Sequence, residues 1–199
     1  VGKCPYRGLS TFQEMDAPFY FGRETFITSL EHAVQTKKLV AVIVGSSGSG
    51  KSSVLFAGLL PRLRKEGGYQ FVTFRPGNQP FYSMADALLP LLESDLSETD
   101  RLVETRNLAE RLTKGEVTLS QVTERIHKKI KGMHILLVVD QFEELYTLCP
   151  DAKLRKAFLD ELLATVETNQ GNRDGSVVIL LTMRADFMGQ ALADRPFAD

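Results

Sequence analysis

The chain has 199 residues, 43% of them hydrophobic and 25% charged, which gives room for an α/β domain with its own core and excludes wholesale disorder or a fibrous repeat. Its 24 Lys and Arg nearly cancel its 25 Asp and Glu, leaving a net charge of −1, so the overall positive field of a protein that grips a nucleic-acid backbone is missing and nucleic acid is not an expected partner. The longest apolar runs fall far short of the ~20 residues of a membrane-spanning helix, and Cys4 and Cys149 form neither a disulfide framework nor a zinc motif, as expected of a cytoplasmic protein.

In chain order, Phe19-Tyr20-Phe21-Gly22-Arg23-Glu24 comes first, aromatics, a glycine and an ion pair ahead of a helix-compatible stretch. This patch either borders an adenine ring or is the hydrophobic start of a helix. The runs 39–44, 71–74, 135–139 and 177–181 are nearly continuous in Val, Ile, Leu and Phe, as strands buried on both faces should be. Between the second and third strands the chain reads as largely helical, rich in Glu and Arg, and too long for an ordinary crossover. A helical insertion is expected there. Thr118-Leu119-Ser120-Gln121 is a capping box that opens a helix over 119–131, with Leu119, Val122, Ile126 and Ile130 on one face. The basic run His127-Lys128-Lys129-Ile130-Lys131 reads as charge that complements that helix's end rather than as a nucleic-acid patch. Asp151 caps a further helix, whose Leu154, Phe158, Leu162 and Val166 share one face. Gly171-Asn172-Arg173-Asp174-Gly175 punctuates a loop. Short apolar strands alternating with amphipathic helices predict a mostly parallel sheet flanked by helices in three layers.

Gly45-Ser46-Ser47-Gly48-Ser49-Gly50-Lys51-Ser52 fits G-x-x-x-x-G-K-[ST] at every fixed position and lies between the first strand and a helix-compatible stretch, 53–63. That is the context of a phosphate-binding loop; the alternative is a flexible Gly/Ser linker. Glycines let successive backbone N–H groups converge on an anion, Lys51 would reach the β- and γ-phosphates, and Ser52 would ligate Mg²⁺. The third strand ends in Asp140, at the sheet's carboxyl edge where α/β ligands bind, and this is the second candidate metal residue; otherwise it caps the turn that follows. Gln141, Glu143 and Glu144 come next. Either glutamate offers a carboxylate to polarise an attacking water, or both merely complement a helix dipole. The fourth strand leads into Thr182-Met183-Arg184-Ala185-Asp186, where Arg184 either reads the γ-phosphate or pairs with Asp186 on the surface.

Together, FGRE, GSSGSGKS, LLVVDQFEEL and LLTMRADF resemble the signal transduction ATPases with numerous domains, the STAND class of P-loop ATPases, over nearly the whole chain. The opening Cys4-Pro5-Tyr6-Arg7-Gly8-Leu9, with Phe12 and Asp16-Ala17, looks like the bacterial subgroup often fused to WD-repeat propellers. The resemblance implies a P-loop NTPase fold in which the Arg184 strand lies between the phosphate-loop strand and the Asp140 strand. It also implies that Gly22, Arg23 and Glu24 border the nucleotide, that the loop through Ser53 contacts it, and that ATP binding switches a multidomain protein between closed and assembled forms. In domain terms, residues 1–37 would be an N-terminal segment and helix bordering the nucleotide and 38–199 the α/β core. Gln141 departs from the pattern, since many relatives carry a second acid there, which leaves the catalytic role split among Gln141, Glu143 and Glu144. The family's helical lid and winged-helix elements would follow Asp199, and the chain, opening on Val1 and stopping in a polar stretch, reads as a piece of a larger protein.

The function that these readings favour is a regulatory module that binds Mg·ATP and hydrolyses it slowly to time a conformational or assembly switch, with self-association or partner proteins as its output. A nucleotide-gated assembly module without turnover and a small-molecule kinase are the alternatives. A DNA-dependent ATPase is disfavoured by the charge balance.

Overall fold

The computed structural model describes residues 10–36, 39–46, 48–130, 132–168 and 176–193, with the side chains of 39–44 and 192 excepted. The expectations for residues 4–9, Ser47, Lys131 and the 171–175 loop therefore lie outside the described residues.

A 3₁₀ turn, Glu14–Phe19, leads to helix α1 (Glu24–Thr36) and strand β1 (Leu39–Gly45). Helix α2 begins at Lys51–Ser53, widens into a π-helical stretch at Val54–Leu59, and returns to α geometry at Leu60–Glu66. The wide turn, in which Leu60 N donates to Leu55 O, sits beside Pro61, which has no N–H for an α-helical ladder. At Gly58 the helix runs so close to α1 that a Cβ would stand 2.6 Å from Ile27 Cδ1.

Strand β2 (Tyr69–Phe74) precedes three helices, α3 (Pro80–Leu92), α4 (Glu98–Thr113) and α5 (Leu119–Lys129), before β3 (His134–Val139). Then come α6 (Glu144–Thr147), α7 (Ala152–Thr168), β4 (Val177–Arg184), a 3₁₀ turn at Ala185–Phe187 and α8 (Met188–Ala193). The expected caps are formed. Thr118 and Gln121 make the capping box of α5, and Asp151 Oδ1 accepts from Lys153 N at 2.8 Å and Leu154 N at 3.2 Å.

The four described strands form a parallel sheet in the order β1-β4-β3-β2. Strand β4 thus lies between β1 and β3, the order implied by the resemblance. Alternating residues of the inner strands feed two cores. Ile135, Leu137, Val139, Val177, Ile179 and Leu181 pack with α3, α5 and α7, while Leu136, Val138, Val178 and Leu180 pack with α1 and α2. Phe158 of α7 anchors the first core, meeting Phe74 and Phe81 edge-on at 6.3 and 5.3 Å, the favoured geometry for aromatic pairs.

Two strands outrun their apolar signal by more than one residue. Tyr69 and Gln70 extend β2 because they pair with His134 and Ile135, and β4 continues to Arg184 because that residue pairs with Gly45. The second extension carries Thr182 and Arg184 to the carboxyl edge, beside the loop that follows β1. No helix among the described residues is long and apolar enough to cross a membrane.

Candidate functional site

The loop after β1 closes on itself before α2 begins. Gly50, the residue before the helix, has φ 80°, a left-handed conformation that favours glycine. At Gly45 a Cβ would come within 2.5 Å of Ser49 Oγ, so a side chain there would displace that hydroxyl. Ser49 N donates to Ser46 O at 3.2 Å, and Lys51 Nζ reaches back to Gly45 O at 3.0 Å and Ser46 O at 2.8 Å. The ammonium therefore rests on the loop's own carbonyls, at the end of the helix where backbone N–H groups are unpaired.

Asp140 is the point on which distant elements converge. It is 1% exposed, and its backbone N–H is held by Phe74 O at 2.9 Å. Ser52 Oγ donates to Oδ1 at 2.9 Å and Thr182 Oγ1 to the same oxygen at 2.6 Å. Oδ2 faces the Arg75 guanidinium, with Nε 3.5 Å away. These partners come from α2, β4 and the end of β2, so the carboxylate ties elements together rather than capping the next turn.

That turn has its own constraint. Gln141 has φ 54°, uncommon for a residue with a side chain, and it is fixed by Gln141 N donating to Thr182 Oγ1 at 2.9 Å and Phe142 N donating to Thr182 O at 2.8 Å. Placed by its partners, the Gln141 amide accepts from Arg75 Nη2 at 3.1 Å and donates to Glu144 Oε1 at 3.0 Å. Glu144 Oε2 accepts from Gly77 N at 3.2 Å. Glu143, 9% exposed, accepts from Arg184 N at 3.2 Å. The Arg184 guanidinium is engaged by Asp186 at 3.1 and 2.6 Å and lies 5.4 Å from the Phe187 ring centroid. The hydrogen bond from Arg184 holds the Asp186 carboxyl below its ordinary range.

A cleft of about 580 Å³ opens over this edge, lined by Gly48, Gly50, Lys51, Ser52, Ser53, Gln141, Glu143 and Arg184. Ser10, Thr11 and Phe12 form its remaining wall, pinned by Phe12 N donating to Ser53 Oγ at 3.1 Å and by the Phe12 ring 5.7 Å from Tyr20. Gly22, Arg23 and Glu24 are exposed and are not among the residues lining the cleft. They build the start of α1 instead: Gly22 N donates to Glu24 Oε1 at 2.9 Å, which holds the Glu24 carboxyl below its usual range.

The family model described as Novel STAND NTPase 1 matches residues 5–199. The chain belongs to that family. No curated relative matches it.

As a STAND NTPase the chain calls for a nucleotide and, in its usual chemistry, a divalent cation. The donor set at the cleft fits both. Ser52 Oγ and the Asp140 carboxylate, already within 2.9 Å of each other, are the hard oxygen donors that Mg²⁺ takes. Among the described residues no three His, Cys, Asp or Glu side chains gather around a common centre, so phosphate oxygens and water would complete the shell.

Three features of the edge escaped the motif reading. Arg75 follows β2 directly, as Arg184 ends β4, and the same pattern of a cation at a strand's carboxyl end marks it. Thr182 was readable only as an apolar-strand residue, because its role depends on the β3–β4 neighbourhood. Ser10 and Thr11 carry no sequence pattern of their own, and Phe12 entered only through the resemblance of the opening segment, without a role at the site.

Proposed function

We propose that the chain is the ATP-binding regulatory core of a multidomain switch, in which Mg·ATP is held at residues 45–53 and is hydrolysed slowly. The observation that carries this reading is the contact of Ser52 with the buried Asp140 directly beside Lys51 on the glycine loop. Backbone N–H groups of the loop and the start of α2 would receive the phosphates, and Lys51 would leave the Gly45 and Ser46 carbonyls for the β- and γ-oxygens. Ser52 and Asp140 would hold the metal, which when bound neutralises charge on the phosphates.

Glu143 is the better placed of the two glutamates to orient water, since it lines the cleft whereas Glu144 secures Gln141 and the Gly77 backbone. Gln141, held by Thr182 and Arg75 and bonded to Glu144, would order the turn that carries Glu143 rather than take a proton itself. Arg184 would have to trade Asp186 for the γ-phosphate, which makes it a reader of ATP against ADP. Gly22, Arg23 and Glu24 would act on the nucleotide from outside the cleft, through α1.

A module that binds ATP and gates assembly without turnover is the second reading. It is favoured by Glu143 and Arg184 both being engaged by protein groups. Phosphate release separates the two: the leading reading expects slow but measurable turnover, below about 0.1 s⁻¹ against a typical enzyme median of ~10 s⁻¹, abolished by Glu143→Gln. Phosphate transfer to a small-molecule acceptor would instead indicate a kinase. The output in either switch reading is self-association or a partner protein, within the cytoplasm.

A further inference from the structure

The Arg75–Asp140 pair gives the cleft a feature that nucleotide binding alone does not require. Asp140 is 1% exposed, whereas the Arg75 side chain is 53% exposed. A carboxylate that deep is strongly unfavourable without a counter-charge. Its Oδ1 is satisfied by the Ser52 and Thr182 hydroxyls, but hydroxyls bring no charge. Among the described residues, Arg75 is the cation within ion-pair distance of this carboxylate, at 3.5 Å from Oδ2.

The guanidinium is also free to leave. Its second contact is the neutral Gln141 amide oxygen, and on its other side Arg75 lines a depression of about 480 Å³ together with Ser83 and Asp86. Asp86, half exposed and paired with Arg101 at 3.5 Å, places a second carboxylate on that depression, toward which Arg75 can turn.

We propose that Arg75 is a displaceable counter-ion for Asp140: it balances the buried carboxylate when no divalent cation is present and competes with Mg²⁺ for it. It is a positioning residue, acting on the metal through Asp140 and on Gln141 through its amide. This assignment rests on the nucleotide reading above and adds a control to it. The protein does not pay the full penalty of a bare buried carboxylate in the metal-free state, and the Mg²⁺ concentration needed to engage the cleft is set by the strength of the pair. Removing the guanidinium raises the metal-free state in free energy more than the metal-bound one, so it strengthens the coupling between Mg²⁺ and ATP.

The test is calorimetric titration of ATP into the chain, in excess Mg²⁺ and in EDTA, for the parent, Arg75→Gln, Arg75→Lys, Asp140→Asn and Arg75→Gln with Asp140→Asn. The ratio of the two dissociation constants measures the coupling. Arg75→Gln should enlarge that ratio about fivefold or more, Arg75→Lys should leave it near the parent's, and on the Asp140→Asn background Arg75→Gln should leave it unchanged. Thermal unfolding without nucleotide gives a second readout: Arg75→Gln should lower the midpoint, and Mg·ATP should restore it toward the parent's. An unchanged or smaller ratio in Arg75→Gln overturns the proposal, as does an enlarged ratio that persists when Asp140 is Asn. If the parent itself binds no ATP under either condition, the nucleotide reading has failed; if the parent binds with Mg²⁺ dependence and the ratio does not respond to Arg75, only the counter-ion assignment has.

Discussion

The cleft at the carboxyl edge of the sheet and the groove between α5 and α7 are both lined with hydroxyls and carboxylates, yet they use them differently. In the groove, about 350 Å³ in volume and lined by residues that include Thr118, Gln121, Glu124, His127 and Glu161, the polar groups serve nearby backbone. Thr118 and Gln121 cap α5, Glu161 accepts from Leu119 N, and Glu124 pairs with Lys128 one turn on. In the cleft, side chains from α2, β4 and the end of β2 converge on one carboxylate. Local caps cost little to form and stabilise the element they belong to. Convergence on a buried charge demands three elements in register and adds little stability in return, which fits the function proposed for this edge.

Four perturbations sharpen that contrast, and the largest effect is expected at Glu143. Glu143→Gln should reduce phosphate release about 10²-fold or more, the usual worth of a positioned base, while ATP affinity stays within about twofold of the parent. Hydrolysis at the parental rate would remove Glu143 from the chemistry.

Asp140→Asn comes next, and acts on the metal. It should cut the gain in ATP affinity conferred by Mg²⁺ about tenfold, with affinity in EDTA little changed; an equal loss under both conditions would make Asp140 a structural carboxylate. Arg184→Ala should narrow the preference for ATP over ADP about two- to fivefold, a modest figure because the guanidinium is solvent-screened and already shared with Asp186. Titrations with both nucleotides decide it, and equal losses would restrict Arg184 to a structural role.

The smallest effect belongs to the groove. Burial, and then the neighbouring His134, hold the His127 imidazole below its ordinary range, and its Nε2 finds no hydrogen-bond partner among the described residues. The folded chain therefore binds this proton less readily than the unfolded chain. Stability is full above the unfolded imidazole value of about 6.5 and falls as the pH drops through it toward the lower folded value. His127→Gln should flatten the fall in urea midpoint between about pH 7.5 and about pH 5.5 and leave nucleotide affinity alone. A change in ATP affinity would mean that the groove and the cleft are coupled.

How much of this was legible in the sequence follows from the range over which each residue acts. The strands, the Thr118–Gln121 box and the Asp151 cap depend on neighbours within a few positions, so their residues state them openly. The glycine loop and Asp140 were marked by the ends of apolar runs. Arg75 also follows such a run, but it acquires its role only when β2 lies against β3, as Thr182 does only when β4 is set between β1 and β3. The aromatic and GRE patch, by contrast, is organised at short range. Its Gly22 and Glu24 satisfy each other, a short-range turn whose residue types resemble those of a ligand border, while the wall of the cleft is supplied by Ser10, Thr11 and Phe12.

Every role proposed for the cleft depends on a triphosphate seated on the loop before α2, and the most direct test is calorimetric titration of Mg·ATP into the parent chain and into Lys51→Ala. Lys51 would make at least two charge-assisted contacts at about 1.5–3 kcal/mol each. The parent should bind one ATP saturably and Lys51→Ala should lose about a hundredfold or more in affinity. Equal affinities in the two proteins would contradict the assignment.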